Sequence, residues 1–296
     1  MELKLTENPT PPAIIEQAPR KPLRWSEWVL LVIITIIYLT AIRDLVSSWI
    51  TDSQYSLGFF APVVSVYFTW KRWPELKRIE RSSSAWGIVL MVIAILLRLA
   101  GAVLGLSKLS FISIPAIIIG LCLYLLGARM TRLLAFSLAF TIFMLPDPLG
   151  LTAWLGQPMQ LFASSCSAHL LNLLGIETAQ SGIRLTVEGF RFDVALACSG
   201  MSSLIALIAV TAVIAYTSRL PNNYRWMLFS FAVPIAIIAS VVRITTIALV
   251  GCEWGWGFAI DAYHHWSSLL LFAVAIILLF ILNRGLEWLS AARAGS

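Results

Sequence analysis

The residues with the greatest chemical potential in this sequence are one cysteine, one arginine and a pair of histidines, each in or at the edge of a long apolar run. Cys198 opens one run, Arg243 lies inside the next, and His264 and His265 open the last. A thiolate at a helix N-terminus faces unpaired backbone N–H groups that stabilise its charge. An imidazole can take the thiol proton and return it to a leaving amine, and a guanidinium can stabilise an oxyanion. Together these groups predict acyl transfer from a peptide to the thiol of Cys198.

Each of these residues also has a simpler explanation. A single cysteine in an apolar helix usually serves as a small packing residue, and histidines are ordinary where such a helix begins. An arginine deep in an apolar run is costly and marks a functional site by default, although it can also line an ion pathway or extend to the interface. Arg98 is a second arginine of this kind, and without an evident partner it is interpreted as extending to the interface or as structural.

The composition predicts that lipid surrounds most of the chain. Apolar residues make up 59% of the 296 residues, charged residues make up 12%, and the mean hydropathy is +0.86. A soluble chain carries about 25% charge, and a chain this apolar cannot hide its surface in a core of its own. Residues 1–27 carry both signs of charge and several prolines, which predicts a disordered cytoplasmic tail and no cleaved signal peptide.

Two common classes of function do not fit this composition. The net charge is +6, but Lys and Arg sit at the ends of apolar runs instead of gathering on one soluble face, so no nucleic-acid partner is expected. The four cysteines have no CxxC spacing, so neither a zinc site nor a thioredoxin-like pair is predicted. No metal and no cofactor is expected.

The apolar runs predict an all-α polytopic membrane protein with about eight transmembrane helices. A helix needs roughly 20 apolar residues to cross a hydrocarbon core of roughly 30 Å. One membrane-embedded domain, residues 28–283, is expected between the N-terminal tail and a short cytoplasmic tail, residues 284–296. The candidate spans are Trp28–Ile50, Leu57–Trp70, Ala85–Leu104, Leu109–Gly127, Leu133–Leu149, Ala197–Thr217, Trp226–Val250 and His264–Leu282.

The positions of Lys and Arg predict the orientation. Of the 21 Lys and Arg residues, fifteen fall on one side of the predicted spans, four fall on the other, and Arg98 and Arg243 lie inside spans. Cytoplasmic loops hold Lys and Arg in excess, so both termini are predicted to be cytoplasmic, with the protein in the inner membrane. The candidate chemical residues then lie in the outer, periplasmic half of the bilayer. Cys166 and Cys252 also fall outside, which permits a disulfide between them without requiring one.

One predicted outer segment, Gly150 to Ala195, is long enough to have structure of its own. Its first part, Gln157–Leu174, is too polar for a span and predicts a helix lying in the membrane interface. Its second part alternates between apolar and polar residues and predicts a short β-hairpin on the outer surface, with a two-residue turn at Glu188-Gly189. That turn would pair Val187 with Phe190, Leu185 with Phe192 and Ile183 with Val194.

Around these residues the sequence resembles the exosortase/archaeosortase family of integral membrane enzymes, from about Trp49 to Phe272. The shared features are an early polar motif before an apolar helix, a Phe-Met-Leu-Pro segment, an Ala-Cys-Ser-Gly tetrapeptide, an arginine, and a histidine followed eight positions later by an aromatic residue. The residues are Asp52, Tyr55, Ser56, Gly58, Phe59, Pro62 and Trp70; Phe143–Pro146; Ala197–Gly200; Arg243; and His264 with Phe272.

Three parts of the sequence depart from the family pattern. Leu57 stands where the family usually has histidine, and Ser268 stands where it usually has glycine. Ser240 and Val241 stand where an asparagine commonly precedes the arginine.

The resemblance implies a membrane-embedded cysteine transpeptidase or protease that cleaves the C-terminal sorting signal of exported proteins through a thioacyl-enzyme intermediate. It implies Cys198 as nucleophile, His264 as acid and base, and Arg243 as the group that stabilises the transition state. His264 fits the family spacing better than His265 does. The implied partners are secreted proteins whose tail carries a short motif, a transmembrane helix and a terminal basic cluster, as in PEP-CTERM proteins, together with membrane lipid.

Two alternatives from other classes remain open at this point. A transporter or channel could use Arg243 as an intramembrane anion site, and it would place polar residues opposite one another on several spans. A non-catalytic assembly factor for envelope polysaccharide would be indifferent to Cys198→Ala.

Overall fold

The computed structural model describes residues 24–147, 150–194, 201–218, 220–259 and 263–294. Most of these residues are helical, and two short 3₁₀ helices cover Ser53–Phe59 and Thr141–Met144. The α-helices are α1 (Trp25–Thr51), α2 (Phe60–Lys71), α3 (Trp73–Leu76), α4 (Ala85–Val103), α5 (Ser107–Leu125), α6 (Ala128–Leu133), α7 (Ala135–Phe140), α8 (Leu151–Leu173), α9 (Met201–Thr217), α10 (Asn222–Trp254), α11 (Trp256–Phe258) and α12 (His264–Ala294). The strands are β1 (Thr178–Ser181), β2 (Arg184–Val187) and β3 (Phe190–Asp193).

Five helices in the described part of the chain are long and apolar enough to cross a membrane. They are α1, α4, α5, α10 and the Leu269–Arg293 part of α12. The predicted count of about eight spans is therefore not confirmed. The other three apolar runs form shorter helices: α2 has 12 residues, the run Ala135–Met144 joins α7 to a 3₁₀ helix, and α9 has 17 residues within the described part. A 12-residue helix is only about 18 Å long, which is less than the hydrocarbon thickness.

Helices α2 and α9 run side by side in the same direction. Leu57 and Ala61, near the start of α2, share a buried cluster with Ala209 of α9. Further along both helices, the Phe68 and Tyr216 rings lie 5.3 Å apart. The first residues of α2 and α9 therefore lie at one end of the bundle. The end of α10 and the three-stranded sheet lie there too, so we call it the sheet end.

The hairpin register predicted from the alternating pattern is confirmed. β2 and β3 pair antiparallel, with Val187 opposite Phe190 and Leu185 opposite Phe192. The turn residues Glu188 and Gly189 have φ values of 48° and 86°, as the tight turn of a two-residue hairpin requires. The pairing continues beyond the strands, because the Val194 N–H donates to the Ile183 carbonyl at 3.0 Å.

A third strand was not predicted. β1 pairs antiparallel with β2 from Thr178↔Val187 to Ser181↔Arg184. Its sequence, Thr-Ala-Gln-Ser, has no apolar alternation to reveal it. Gly182, with φ of +64°, provides the first turn residue between the two strands.

The sheet packs its apolar face on the helices and exposes a charged pair on the other face. Leu185 and Val187 are fully buried against α8 and α10. On the exposed face Arg184 Nε lies 2.7 Å from Asp193 Oδ1, and the hydrogen bond lowers the pKa of Asp193 below its ordinary value of 3.8. A carboxyl whose pKa is lowered by folding stabilises the fold at neutral pH, and this contribution is lost as the pH falls through the lowered pKa.

Helix α8 begins and ends at the sheet end. At its start, the Thr152 N–H donates to Asp147, which also pairs with Lys108 at 3.2 Å. At its other end, the Asn172 side chain exchanges two hydrogen bonds with the backbone of Thr178 in β1. Two of the polar residues in this segment, Ser164 and Ser167, are not in solvent, because they are fully buried against the protein. The location of α8 in the membrane interface stays a prediction.

Candidate active site

Arg243 is a buried cation in the middle of the longest apolar helix of the described chain. Its side chain is 6% exposed, and it lies eleven residues before the end of α10, which is about 16 Å along the helix axis. Its backbone carbonyl accepts a hydrogen bond from the Thr246 hydroxyl at 3.0 Å. The neighbouring polar residues Ser240 and Thr245 are also buried. A charge at this depth is costly, which makes Arg243 a functional candidate in its own right.

Arg243 lines a small cavity where three helices meet. α9 contributes Ser203, α10 contributes Ser240 and Arg243, and α12 contributes Leu271 and Phe272. The volume is about 10 Å³, which is room for about one water molecule. The cavity thus brings a cation and two hydroxyls together in an otherwise apolar part of the bundle.

Cys198 lies outside the described residues, in the segment 195–200, but the chain on both sides of it is described. Val194, four residues before it, is buried in the same cluster as Ile244, the neighbour of Arg243. The carbonyl of Val194 accepts a hydrogen bond from the Gln160 side chain in α8. Ser203, five residues after Cys198, lines the cavity with Arg243. Both described flanks of the cysteine therefore lie in the neighbourhood of Arg243.

His264 is the first residue of α12, and the side chains of His264 and His265 lie outside what the structure describes. The backbone position is nevertheless informative. Positions 264, 271 and 275 fall on one face of a helix with 3.6 residues per turn, and Leu271 and Ala275 line the cavity. Phe272, seven positions after 265, lines the cavity as well. Position 264 is thus nearer the centre of the cavity face of α12 than position 265, about 11 Å towards the sheet end from Leu271.

Three polar residues near this cavity were not singled out from the sequence. Ser203 and Ser240 line it, and Gln160 fixes Val194. The position of Ser240 carried a signal, because it stands where the exosortase/archaeosortase pattern commonly has asparagine. Ser203 and Gln160 carried none, since a serine in an apolar helix and a glutamine in a polar one are both ordinary.

Comparison with known protein families identifies the chain. A family model described as transmembrane exosortase matches residues 49–281, which is well over half of the sequence. The chain belongs to the transmembrane exosortase family. No curated protein and no solved structure gave a significant match. Membership is consistent, at the level of the family, with a sorting transpeptidase embedded in the membrane.

Two sequence motifs of this exosortase contact each other at the sheet end. The Trp49 Nε1–H donates to the Met144 carbonyl at 2.8 Å, which joins the early polar motif to the Phe-Met-Leu-Pro segment. The indole also packs on Gly58, where an added Cβ would lie 2.2 Å from Nε1. Glycine at position 58 therefore has a steric reason, since any side chain would displace the indole.

The position of Leu57 shows what replaces the usual histidine of the exosortase family here. Leu57 packs in a cluster with Ala61, Phe140 and Ala209. Ala209 belongs to α9, the helix that follows Cys198. In this chain position 57 is thus an apolar contact between the early motif and α9.

Proposed function

We propose that this exosortase is a membrane-embedded cysteine transpeptidase or protease that cleaves the C-terminal sorting signal of exported proteins. Cys198 is the nucleophile, His264 the acid and base, and Arg243 the group that stabilises the oxyanion. The observation that carries this proposal is the cavity in which α9, α10 and α12 meet, with buried Arg243 and Ser203 on its wall. It is supported by the positions of Val194 and Ser203, because the chain before Cys198 and the chain after it both lie in the neighbourhood of Arg243.

The proposed reaction proceeds in two halves. The imidazole of His264 takes the thiol proton of Cys198, and the thiolate attacks the carbonyl carbon of the scissile peptide bond. Arg243 stabilises the resulting oxyanion in a medium of low dielectric constant. The C–N bond then breaks, the imidazolium gives its proton to the leaving amine, and a thioester remains on Cys198. Water or an amine attacks the thioester, forms an acid or an amide, and restores the thiol.

The spacing along α12 supports separate roles for Arg243 and His264. Position 264 lies about 11 Å from Leu271, at whose level α10 presents Arg243 to the cavity. An extended arginine and a histidine can each bridge part of such a distance. In the proposed complex, a peptide group between them is held by the guanidinium on one side and by the imidazole on the other.

The proposed orientation suits a substrate with a C-terminal transmembrane helix. With both termini in the cytoplasm, the sheet end faces the periplasm, because the predicted excess of Lys and Arg lies at the other end. A substrate tail of motif, helix and basic cluster would place its motif at the sheet end. Its basic cluster would then remain in the cytoplasm.

A substitution of the nucleophile tests the proposal. We expect Cys198→Ala to abolish processing of a substrate with such a tail, while the variant inserts into the membrane as well as the wild type. Processing is measured by mass spectrometry of the substrate's new C-terminus, in cells with each variant. Cys166→Ala and Cys252→Ala are matched controls and should process normally. Unaltered processing by Cys198→Ala would contradict the proposal.

A further inference from the structure

Arg98 forms a second polar site in the bundle, separate from the cavity at Arg243. It lies in α4, five residues before the end of that helix, and its side chain is half-buried between α1 and α5. Its guanidinium donates to the Thr40 hydroxyl of α1 and, at 3.2 Å, to the Ser110 hydroxyl of α5. Three helices thus contribute to one cationic cluster.

Arg98 forms no ion pair within the described part of the protein, and Asp44, one helical turn beyond Thr40 on α1, is not within ion-pair distance of it. Its Nε is buried and meets no acceptor among the described residues. Neutral hydroxyls satisfy hydrogen bonds but supply no negative charge, and an uncompensated cation in a span is costly. The cluster therefore has the composition of an anion-binding site.

The Thr40 hydroxyl can extend this site beyond the guanidinium. Thr40 and Ser110 act as acceptors for Arg98, and neither hydroxyl donates to another group in the described part of the chain. Thr40 is exposed and can therefore donate its own proton to a further acceptor, whereas Ser110 is buried and holds the guanidinium from the inside. An arginine fork with a hydroxyl donor beside it is well suited to phosphate oxygens.

The surroundings of the cluster indicate that the anion belongs to a lipid. Thr40 is exposed on the outside of the bundle, and the neighbouring residues Leu39 and Leu99 are each 53% exposed. Such apolar side chains on spanning helices face acyl chains. Arg98 also lies about 8 Å from the end of α4. That end of α4 is at the sheet end of the bundle, because Lys108, just beyond the α4–α5 turn, pairs with Asp147. A site for phosphate at this depth, with an apolar surface for acyl chains beside it, suits the headgroup and the tails of a phospholipid.

We propose that Arg98 and Thr40 bind the phosphate of a phospholipid in the leaflet at the sheet end, with Ser110 positioning the guanidinium and the acyl chains along Leu39 and Leu99. This site is independent of the catalytic proposal. It explains why a cation that forms no ion pair in the described part of the chain is retained between three apolar helices, since the lipid supplies a negative charge.

Native mass spectrometry of the purified protein in detergent tests this site with phosphatidylglycerol as the probe. We expect Arg98→Gln to bind one phosphatidylglycerol at least about tenfold more weakly than the wild type, because it loses a charge-assisted contact. Thr40→Val keeps the shape of the side chain and should weaken the same binding by a smaller factor. Arg191→Gln, an exposed arginine on β3 away from α1 and α4, is the control and should bind as the wild type does.

Three results would overturn the proposal. Equal binding of phosphatidylglycerol to the wild type and Arg98→Gln would remove the role of the guanidinium. Equal binding of diacylglycerol with the same acyl chains would show an apolar groove without phosphate recognition. Binding of inorganic phosphate that excludes the lipid would show a site for a free anion. If Arg98→Gln does not fold, Thr40→Val and Ser110→Ala decide the question, and wild-type binding by both would overturn it.

Discussion

At the scale of single residues, the setting of Arg243 is the most informative feature of this exosortase. The guanidinium is buried in α10 and shares a cavity with Ser203 and Ser240. A cation used only to anchor a helix at the interface would extend towards water. The burial of Arg243 instead suits a group that acts on charge developing inside the protein.

The two histidines provide a test of the register of α12. Because position 264 shares a helix face with Leu271 and Ala275, and position 265 is turned about 100° away, we expect His264→Ala to reduce processing by about 10²-fold or more. His265→Ala, its matched control, should stay within about threefold of the wild type. The initial rate of substrate cleavage in membranes measures both. A larger loss for His265→Ala would show that the other register is correct.

One of the chemical residues could be selected from the sequence because its type is rare in apolar runs. Arg243 stands out for that reason, whereas Cys198 and His264 are ordinary types at such positions and are selected by their combination with Arg243 and by the family pattern. Ser203 could not be found in the same way, because a small hydroxyl is common in apolar helices and only the three-dimensional arrangement brings it to Arg243.

At the scale of elements, the hairpin was predictable and the third strand was not. The parity change at Glu188-Gly189 determined the register of β2 and β3, since only one turn places all apolar residues on one face. β1 is polar and four residues long, and its place is determined by hydrogen bonds from Asn172 in α8. Contacts of that kind depend on the tertiary structure and leave no local pattern.

The contact between Trp49 and Gly58 leads to a prediction about stability. Gly58→Ala would place a Cβ 2.2 Å from the indole nitrogen and displace the bond to Met144. We expect a loss of roughly 1–3 kcal/mol in the free energy of unfolding, observed as a lower melting temperature in detergent. Gly285→Ala is the control, because no atom lies within 4 Å of its added Cβ and alanine favours a helix. Equal melting temperatures for the two variants would contradict the steric role of Gly58.

At the scale of the whole molecule, the membrane assignment follows from composition, and the number of spans does not. Hydropathy cannot distinguish a long helix from a short one followed by a turn, as the run around Pro146 shows. Packing decides such cases, and it gives five long helices within the described residues. The family match over residues 49–281 begins near the end of α1 and ends within α12.

The proposed orientation predicts which end of the molecule is accessible from outside. In a variant without the four native cysteines, we expect Arg191→Cys on β3 to react with a membrane-impermeant maleimide in intact cells. Arg129→Cys, exposed at the start of α6 at the opposite end, should react only after the inner membrane is permeabilised. The reverse pattern would show that the sheet end faces the cytoplasm.

The most direct test of the catalytic account is to trap the acyl group on the enzyme. Wild-type protein is mixed with substrate, quenched in acid and digested, and the peptide that contains Cys198 is read by mass spectrometry. The account predicts that this peptide carries the upstream fragment of the substrate as a thioester, which hydroxylamine removes. Continued cleavage of the substrate with no adduct on Cys198, or with the adduct on another cysteine, would contradict it.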